Sequence, residues 1–282
     1  AMKVSYIKKV ACVGGGVIGS SWAIQYAMRG LSVALYDIND EQLLKSRGQM
    51  EKSLDALVGH DAITQTQKAE IVARVHPTTS MEEAVSDAQF IQESGPERLE
   101  IKRSILAQVE QYAASDALYA SSTSGLLISE IVAEAAHPER CVGAHPYNPP
   151  HLIPLVEITR GEKSSDEMVK TVYDFYQSIG KEAVLLRKEC PGFIANRLQL
   201  ALYREVQDLV MRGVCSVEDV DKALVYGPGI RWAIFGHNMI MQMGNPGGLT
   251  GMVKMLGNSG DVWLADMASW TCLLYTSDAA DE

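Results

Sequence analysis

A histidine and a glutamate stand twelve positions apart in the segment that runs from His145 to Glu157. Imidazole is the side chain that starts nearest neutral pKa, which suits it to take a proton from a hydroxyl. A carboxylate behind the ring fixes its tautomer and stabilises the imidazolium once it forms. An alcohol needs such a base when its carbon gives up hydride, because the hydride leaves only as the hydroxyl proton leaves. Taken alone, the spacing also fits a His and a Glu with no functional relation. The reading therefore depends on whether a hydride acceptor has a place in the same chain.

Such a place is visible near the amino terminus. Lys9–Val13 is a short apolar run suited to a buried parallel strand, and Gly14-Gly15-Gly16-Val17-Ile18-Gly19 follows it, matching G-x-G-x-x-G at Gly14, Gly16 and Gly19. From Ile18 the apolar residues Trp22, Ala23, Tyr26 and Ala27 recur at helical spacing, with Gly30 placed to end the helix. A second strand over residues 31–36 ends at Asp37. In this context a dinucleotide's diphosphate sits on the helix amino terminus, which makes Gly14, Gly16, Val17, Ile18 and Gly19 candidate cofactor contacts. An acid where Asp37 stands accepts hydrogen bonds from ribose hydroxyls and repels a 2′-phosphate, so NAD is favoured over NADP. The competing reading is a glycine-rich turn in an unrelated α/β domain.

Other elements must carry these residues to one crevice. Residues 40–58 and 97–112 read as helices, the second containing Lys102, and residues 88–92, 117–120 and 140–144 read as strands, the last delivering His145 at its carboxyl end. Ligands of open α/β sheets bind beyond those ends, so Ser124, His145 and the glycine turn are expected to converge. The last strand patterns fall at residues 155–159 and 183–186. From about Pro191 only helical periodicity remains, with Leu198, Leu202, Val206 and Leu209 on one face and Gly213 at the end. The expected fold class is α/β: a Rossmann-type doubly wound parallel sheet over residues 1–190, followed by a smaller all-helical domain over 191–282.

Composition narrows the function classes. At 282 residues the chain exceeds the ~250 at which single cores stop growing, in line with two domains. No run approaches the ~18 apolar residues of a membrane span and no signal-peptide pattern opens the chain, which points to a cytoplasmic protein without a membrane partner. A net charge of −10 argues against nucleic acid or an anionic membrane surface. Five widely spaced cysteines without C-x-x-C fit reduced thiols, and the six histidines include no H-E-x-x-H, so no metal site is expected.

With these motifs assembled, the chain resembles the 3-hydroxyacyl-CoA dehydrogenase superfamily up to about Trp270. The resemblance is carried by the glycine turn, Asp37, Pro96-Glu97 with Lys102, residues 121–125, His145-Pro146-Tyr147-Asn148-Pro149, Leu155-Val156-Glu157 and Pro191-Gly192-Phe193-Ile194-Ala195-Asn196-Arg197. It implies an NAD-dependent oxidoreductase in which His145 is the catalytic base, Glu157 its orienting acid, and Ser124 and Asn196 polar groups around the substrate oxygen. It also implies that Asp37, Glu97, Lys102 and Asn148 contact the cofactor, and that the protein is a homodimer. Read from the residues alone, other uses stay open. Ser124 suits a helix cap or a turn, Asn196 an exposed early turn, Lys102 a pair with Glu97 or Glu100, and Asn148 a structural turn.

Substrate choice divides the superfamily. Members acting on CoA thioesters typically carry aromatic residues between the His and the Asn-Pro. Those acting on free 3-hydroxy acids, such as L-carnitine and L-gulonate dehydrogenases, tend to place a proline directly after the His, as Pro146 is here. Residues 93–98, 121–125 and 227–232 are similar to that second group. Within them Arg231 is informative: a carboxylate in a cleft must be paired, and a guanidinium fork suits it best, although a structural ion pair is the other use of such a residue. The expected activity is oxidation of a small L-3-hydroxy acid, carnitine- or gulonate-like, to the 3-oxo acid. The alternative substrate is an acyl-CoA thioester such as 3-hydroxybutyryl-CoA, and the different-class alternative is a structural role, since lens λ-crystallin resembles the same group. Residues 271–282 do not continue the pattern and read as a foreign end, with Ala1 before Met2 a remnant of cloning, so the helical domain is expected to be truncated.

Overall fold

The computed structural model describes residues 4–271; Ala1 and residues 272–282, on which the expectations about the two ends fall, lie outside them. Lys9–Val13 forms β1, with Val10, Ala11, Cys12 and Val13 all buried. A strand covered on both faces needs no polar alternation, which is why this run is continuously apolar. The glycine turn leads into α1 (Val17–Met28), which stops where Gly30 takes a φ of 82°. β2 (Ser32–Tyr36) and α2 (Asp40–Gly59) follow, the helix capped by Asn39 accepting from the Gln42 amide.

Three elements that apolar periodicity does not mark come next: α3 (Gln65–Ala73), β3 (Val75–Thr78) and α4 (Met81–Val85). β3 carries Pro77, which cannot donate to a ladder and argues against a strand. It is tolerated because, among the described residues, β3 is the edge of the sheet and pairs with β2 alone.

The unit is completed by β4 (Phe90–Glu93), α5 (Leu99–Tyr112), β5 (Leu118–Ser121), the short α6 (Ile128–Ile131), β6 (Cys141–Pro146), β7 (Leu155–Arg160), α7 (Asp166–Ser178) and β8 (Glu182–Leu186). The eight strands lie in the order β3-β2-β1-β4-β5-β6-β7-β8. β1 to β6 are parallel; β7 then reverses against β6, with His145 opposite Glu157, and β8 runs parallel to β7. Strand order switches direction at β1 and β4, which opens the crevice where such sheets bind ligands. β4 and β5 each end one residue later than the pattern suggests because Glu93 and Ser121 are buried strand residues. α5 starts at Leu99, two residues later than the pattern suggests, which leaves Glu97 in the loop before it.

Helices cover both faces of the sheet. Along β1, Val10 and Cys12 join one apolar cluster while Ala11 and Val13 join the other, as side chains alternate across a strand. The larger cluster is aromatic, with Trp22 stacked on Tyr26 at 5.3 Å and Phe90 against Phe175 at 4.6 Å. Gln92 sits among these rings because its polar groups are satisfied there. Its Oε1 accepts from the Tyr26 and Tyr176 hydroxyls at 2.7 and 2.5 Å, and its Nε2 donates to Ser122 Oγ at 2.8 Å.

The chain divides into two compact units, Ala1–Ile194 and Ala195–Glu282. The second holds α8 (Ala195–Met211), α9 (Val217–Leu224), α10 (Ile230–Ile234), α11 (His237–Met243) and α12 (Gly248–Asp266). Among its described residues only Val220 and Gly248 are buried.

Candidate active site

Each glycine after β1 is glycine for its own reason. Gly14 has a φ of 101°, and a Cβ there would lie 2.8 Å from the Ser94 carbonyl oxygen. A Cβ on Gly19 would lie 1.7 Å from the Gly14 carbonyl oxygen, so this glycine allows the helix to pack on the turn. Gly16 differs: among the described residues beyond its chain neighbours, no heavy atom lies within 4 Å of its Cβ position. That open side has room for a close-lying diphosphate, and the three positions fit the division of labour a dinucleotide requires. α1 begins without a side-chain cap, which leaves the first amides, those of Val17 and Ile18, to an anion.

A cleft of about 740 Å³ runs past this turn, lined by Gly14, Gly16, Asp37, Ser94, Gly95 and Pro96 among others. Asp37 is held within it by its neighbours, accepting from the Gly15 and Ile38 amides at 2.7 Å each. Ser46, buried on α2, donates to the Gly15 carbonyl and stands 2.3 Å from where a Gly15 Cβ would be. The middle glycine, which the motif leaves free, is thus needed here to keep Asp37 aimed.

β4 ends in Glu93, wholly buried and absent from the candidates drawn from the sequence. Lys102, 1% exposed, donates to its two oxygens at 2.9 and 3.1 Å and lies 3.5 Å from Glu97. Ser121 and the Gly95 amide also donate to Glu93. The lysine therefore pairs with Glu93 and Glu97, not with Glu100. Glu97 in turn accepts from Thr123 Oγ1 at 2.6 Å and from the Ser124 and Gly125 amides at 2.9 and 3.1 Å. Burial pushes its carboxyl up, but the Thr123 hydroxyl, the Lys102 charge and the two amides outweigh burial and hold it below its usual value. Glu97 thereby organises the loop that carries Ser124. The one sequence signal for Glu93 is a charged residue directly after the strand pattern of residues 88–92.

At the end of β6, His145 Nδ1 lies 2.9 Å from Glu157 Oε2. With a carboxylate as acceptor the proton sits on Nδ1, so the neutral ring presents the Nε2 lone pair. His145 is 7% exposed and Glu157 is wholly buried, its Oε1 accepting from the Ile194 amide at 2.9 Å. The rings of Tyr147 and Phe193 stand 5.6 and 5.4 Å from the imidazole. The loop over residues 147–154 is tied down from outside: the Lys181 ammonium donates to the Pro150 and Ile153 carbonyls at 2.6 and 2.5 Å, and Ser21 accepts from the His151 amide at 3.0 Å. Burial and the nearby Arg29 push the Lys181 ammonium down to about 8. Asn148 lies exposed in this loop.

Two candidates lie in the second unit, Asn196 in the first turn of α8 and Arg231 in α10. Arg231 is exposed, and its guanidinium makes no hydrogen bond or ion pair among the described residues. Among those residues no group of three or more His, Cys, Asp or Glu could hold a metal ion, and no helix is long and apolar enough to cross a membrane.

Comparison with known proteins places these features. Residues 9–190 match the NAD binding domain of 3-hydroxyacyl-CoA dehydrogenase and residues 192–259 its C-terminal domain. The chain is 40% identical over 256 residues to an L-carnitine dehydrogenase of Streptomyces griseus, covering 90% of this chain and 74% of that one. It is equally 40% identical over 258 residues to a 3-hydroxyacyl-CoA dehydrogenase of Gibberella moniliformis, covering 90% and 78%. The crystal structure of 5-formyl-3-hydroxy-2-methylpyridine 4-carboxylic acid 5-dehydrogenase, an NAD+-dependent dismutase, superposes with a TM-score of 0.81 at 31% identity, covering 97% of this chain and 87% of that one.

The glycine geometry separates binding from folding. Gly16→Ala keeps its thermal unfolding midpoint but loses NAD affinity by at least about tenfold, because the new methyl occupies the side where a diphosphate approaches. Gly19→Ala meets backbone and loses roughly 1–3 kcal/mol of stability or more. Calorimetric titration and thermal melts of the two variants check this, and equal NAD affinity in Gly16→Ala and the unaltered chain refutes it.

Proposed function

The chain belongs to the 3-hydroxyacyl-CoA dehydrogenase family, and from that premise we propose that it oxidises the hydroxyl of a small free L-3-hydroxy acid, carnitine- or gulonate-like, to the 3-oxo acid. The observation that carries the reading is the buried His145–Glu157 pair, with one ring nitrogen left to accept a proton. Bound NAD supplies the hydride acceptor. His145 Nε2 takes the hydroxyl proton as the carbon loses hydride, and Glu157 stabilises the imidazolium that results. Ser124 and Asn196 are assigned to the substrate oxygen. Asp37, Glu97 and Asn148 are assigned to the cofactor, with the buried Lys102 acting through Glu97. In this reading residues 1–190 bind the dinucleotide and residues 191–282 serve substrate and association, in a cytoplasmic enzyme.

The free-acid assignment is supported by the Streptomyces griseus relative named L-carnitine dehydrogenase and by the solved relative whose name places a free carboxylic acid as substrate. Arg231, exposed and without a partner among the described residues, is the cation proposed to take that carboxylate. A thioester substrate is the second reading, favoured by the Gibberella moniliformis relative. It makes no demand on Arg231. A homodimer is part of the proposal: Leu198, Tyr226, Ile234, Val262, Trp263 and Leu264 of the helical unit are all exposed, apolar side chains of the kind a second copy can cover.

Three measurements test this. His145→Ala lowers kcat by about 10²–10⁴-fold with NAD affinity unchanged; undiminished turnover in the variant removes His145 from its role. NADH formation across 3-hydroxy acids and their CoA thioesters favours the acids, and Arg231→Met raises KM for an acid at least about tenfold while Arg231→Lys recovers part of the loss. Faster turnover of 3-hydroxybutyryl-CoA, untouched by Arg231→Met, transfers the assignment to the thioester reading. Light scattering gives the mass of two chains; a monomer at micromolar concentration rejects the dimer.

A further inference from the structure

The turn after β8 holds a residue in a backbone conformation that its side chain resists. Pro191 and Gly192 form the middle of a turn closed by the Phe193 amide on the Cys190 carbonyl at 3.0 Å, and Gly192 has a φ of 75°, as the third position of a type II turn requires. Phe193 follows with a φ of 53°. Glycine adopts that region freely and asparagine tolerates it, but a bulky side chain there persists only when its surroundings enforce it. Glycine at this position would relieve the backbone, so the ring must do something that glycine would not. Phe193 is 2% exposed, and its ring packs 5.4 Å from the His145 imidazole, tilted by 52°. The next residue, Ile194, is the one whose amide donates to Glu157 Oε1. Strain of this kind, beside a buried ionisable pair, argues from the outlier to a function for the contact.

We propose that Phe193 is a positioning residue for the His145–Glu157 pair, its left-handed turn aiming the Ile194 amide at one Glu157 oxygen while its ring holds the imidazole against the other. The inference rests on the reading of His145 as the base. The ring keeps water from the Nδ1–H···Oε2 bond, so that bond is not screened. It also limits rotation of the imidazole about the bond that joins it to the chain. With both oxygens engaged, the carboxylate cannot swing away as the ring becomes charged.

Phe193→Gly and Phe193→Asn remove the ring yet suit the backbone, so they separate positioning from packing. The expected result is a kcat lower by about 10–100-fold, the scale of a misplacement near 1 Å, with NAD affinity and the substrate KM little changed. Phe193→Leu, which keeps apolar volume, gives a smaller loss. The decisive readout is a double-mutant cycle: in a Glu157→Gln background Phe193→Gly adds little further loss, whereas independent packing multiplies the two losses. Unchanged kcat in the Gly and Asn variants, or multiplying losses in the cycle, overturns the proposal. If those two variants do not fold, full kcat in Phe193→Leu overturns it instead. Loss of activity in His145→Ala with full activity in the Phe193 variants rejects this inference alone, while an active His145→Ala rejects the reading beneath it.

Discussion

A carboxylate that gives up all contact with water must be met by donors, and the wholly buried Glu157 sets that demand. One oxygen is met by the His145 ring and the other by the Ile194 amide. The reversal of β7 is what makes the first contact possible. In an antiparallel ladder His145 and Glu157 stand directly opposite each other, whereas a parallel β7 would need a long crossover and would separate them. The second contact depends on the Pro191-Gly192 turn, which brings the chain back to the carboxylate. The doubly wound pattern is thus broken at the one strand where breaking it builds the site.

The same rule, applied with an ammonium, organises the other side of the crevice. Glu93 is matched by Lys102, Ser121 and the Gly95 amide, all reached from inside the fold. Glu97, exposed on one side and drawn to the same lysine, spends its remaining capacity on the loop amides beside Ser124. Two acids near one lysine thereby serve different ends. Glu93 neutralises a buried cation, and Glu97 shapes a loop.

What could be read from the sequence follows from which constraints are local. The glycine turn was legible because Gly14 and Gly19 answer to steric limits set within a few residues of themselves, or by the strand they pack on. His145 and Glu157 were legible as a pair by residue type, though their facing register appears only in the sheet. Glu93 was hidden because Ser121, which donates to it, is 28 residues away and nothing at a strand end marks an acid as satisfied. Lys181 and Ser21 were hidden for the same reason, since each matters through a proline-rich loop remote from it in the chain. β3 was hidden by its proline, and the backbone at Phe193 by a side chain that ordinarily avoids it. Asn196 and Arg231 stay where sequence left them, named by resemblance and set in a unit of their own.

An open sheet edge presents a row of unpaired N–H and C=O groups on which a strand from another molecule can grow, the first step toward aggregation. In this chain β3 is such an edge, and Pro77 in its middle removes a donor there. An incoming strand would find no continuous ladder to copy. At that end of the sheet, molecules crowded together gain less from backbone pairing, and contacts between them depend more on their side chains.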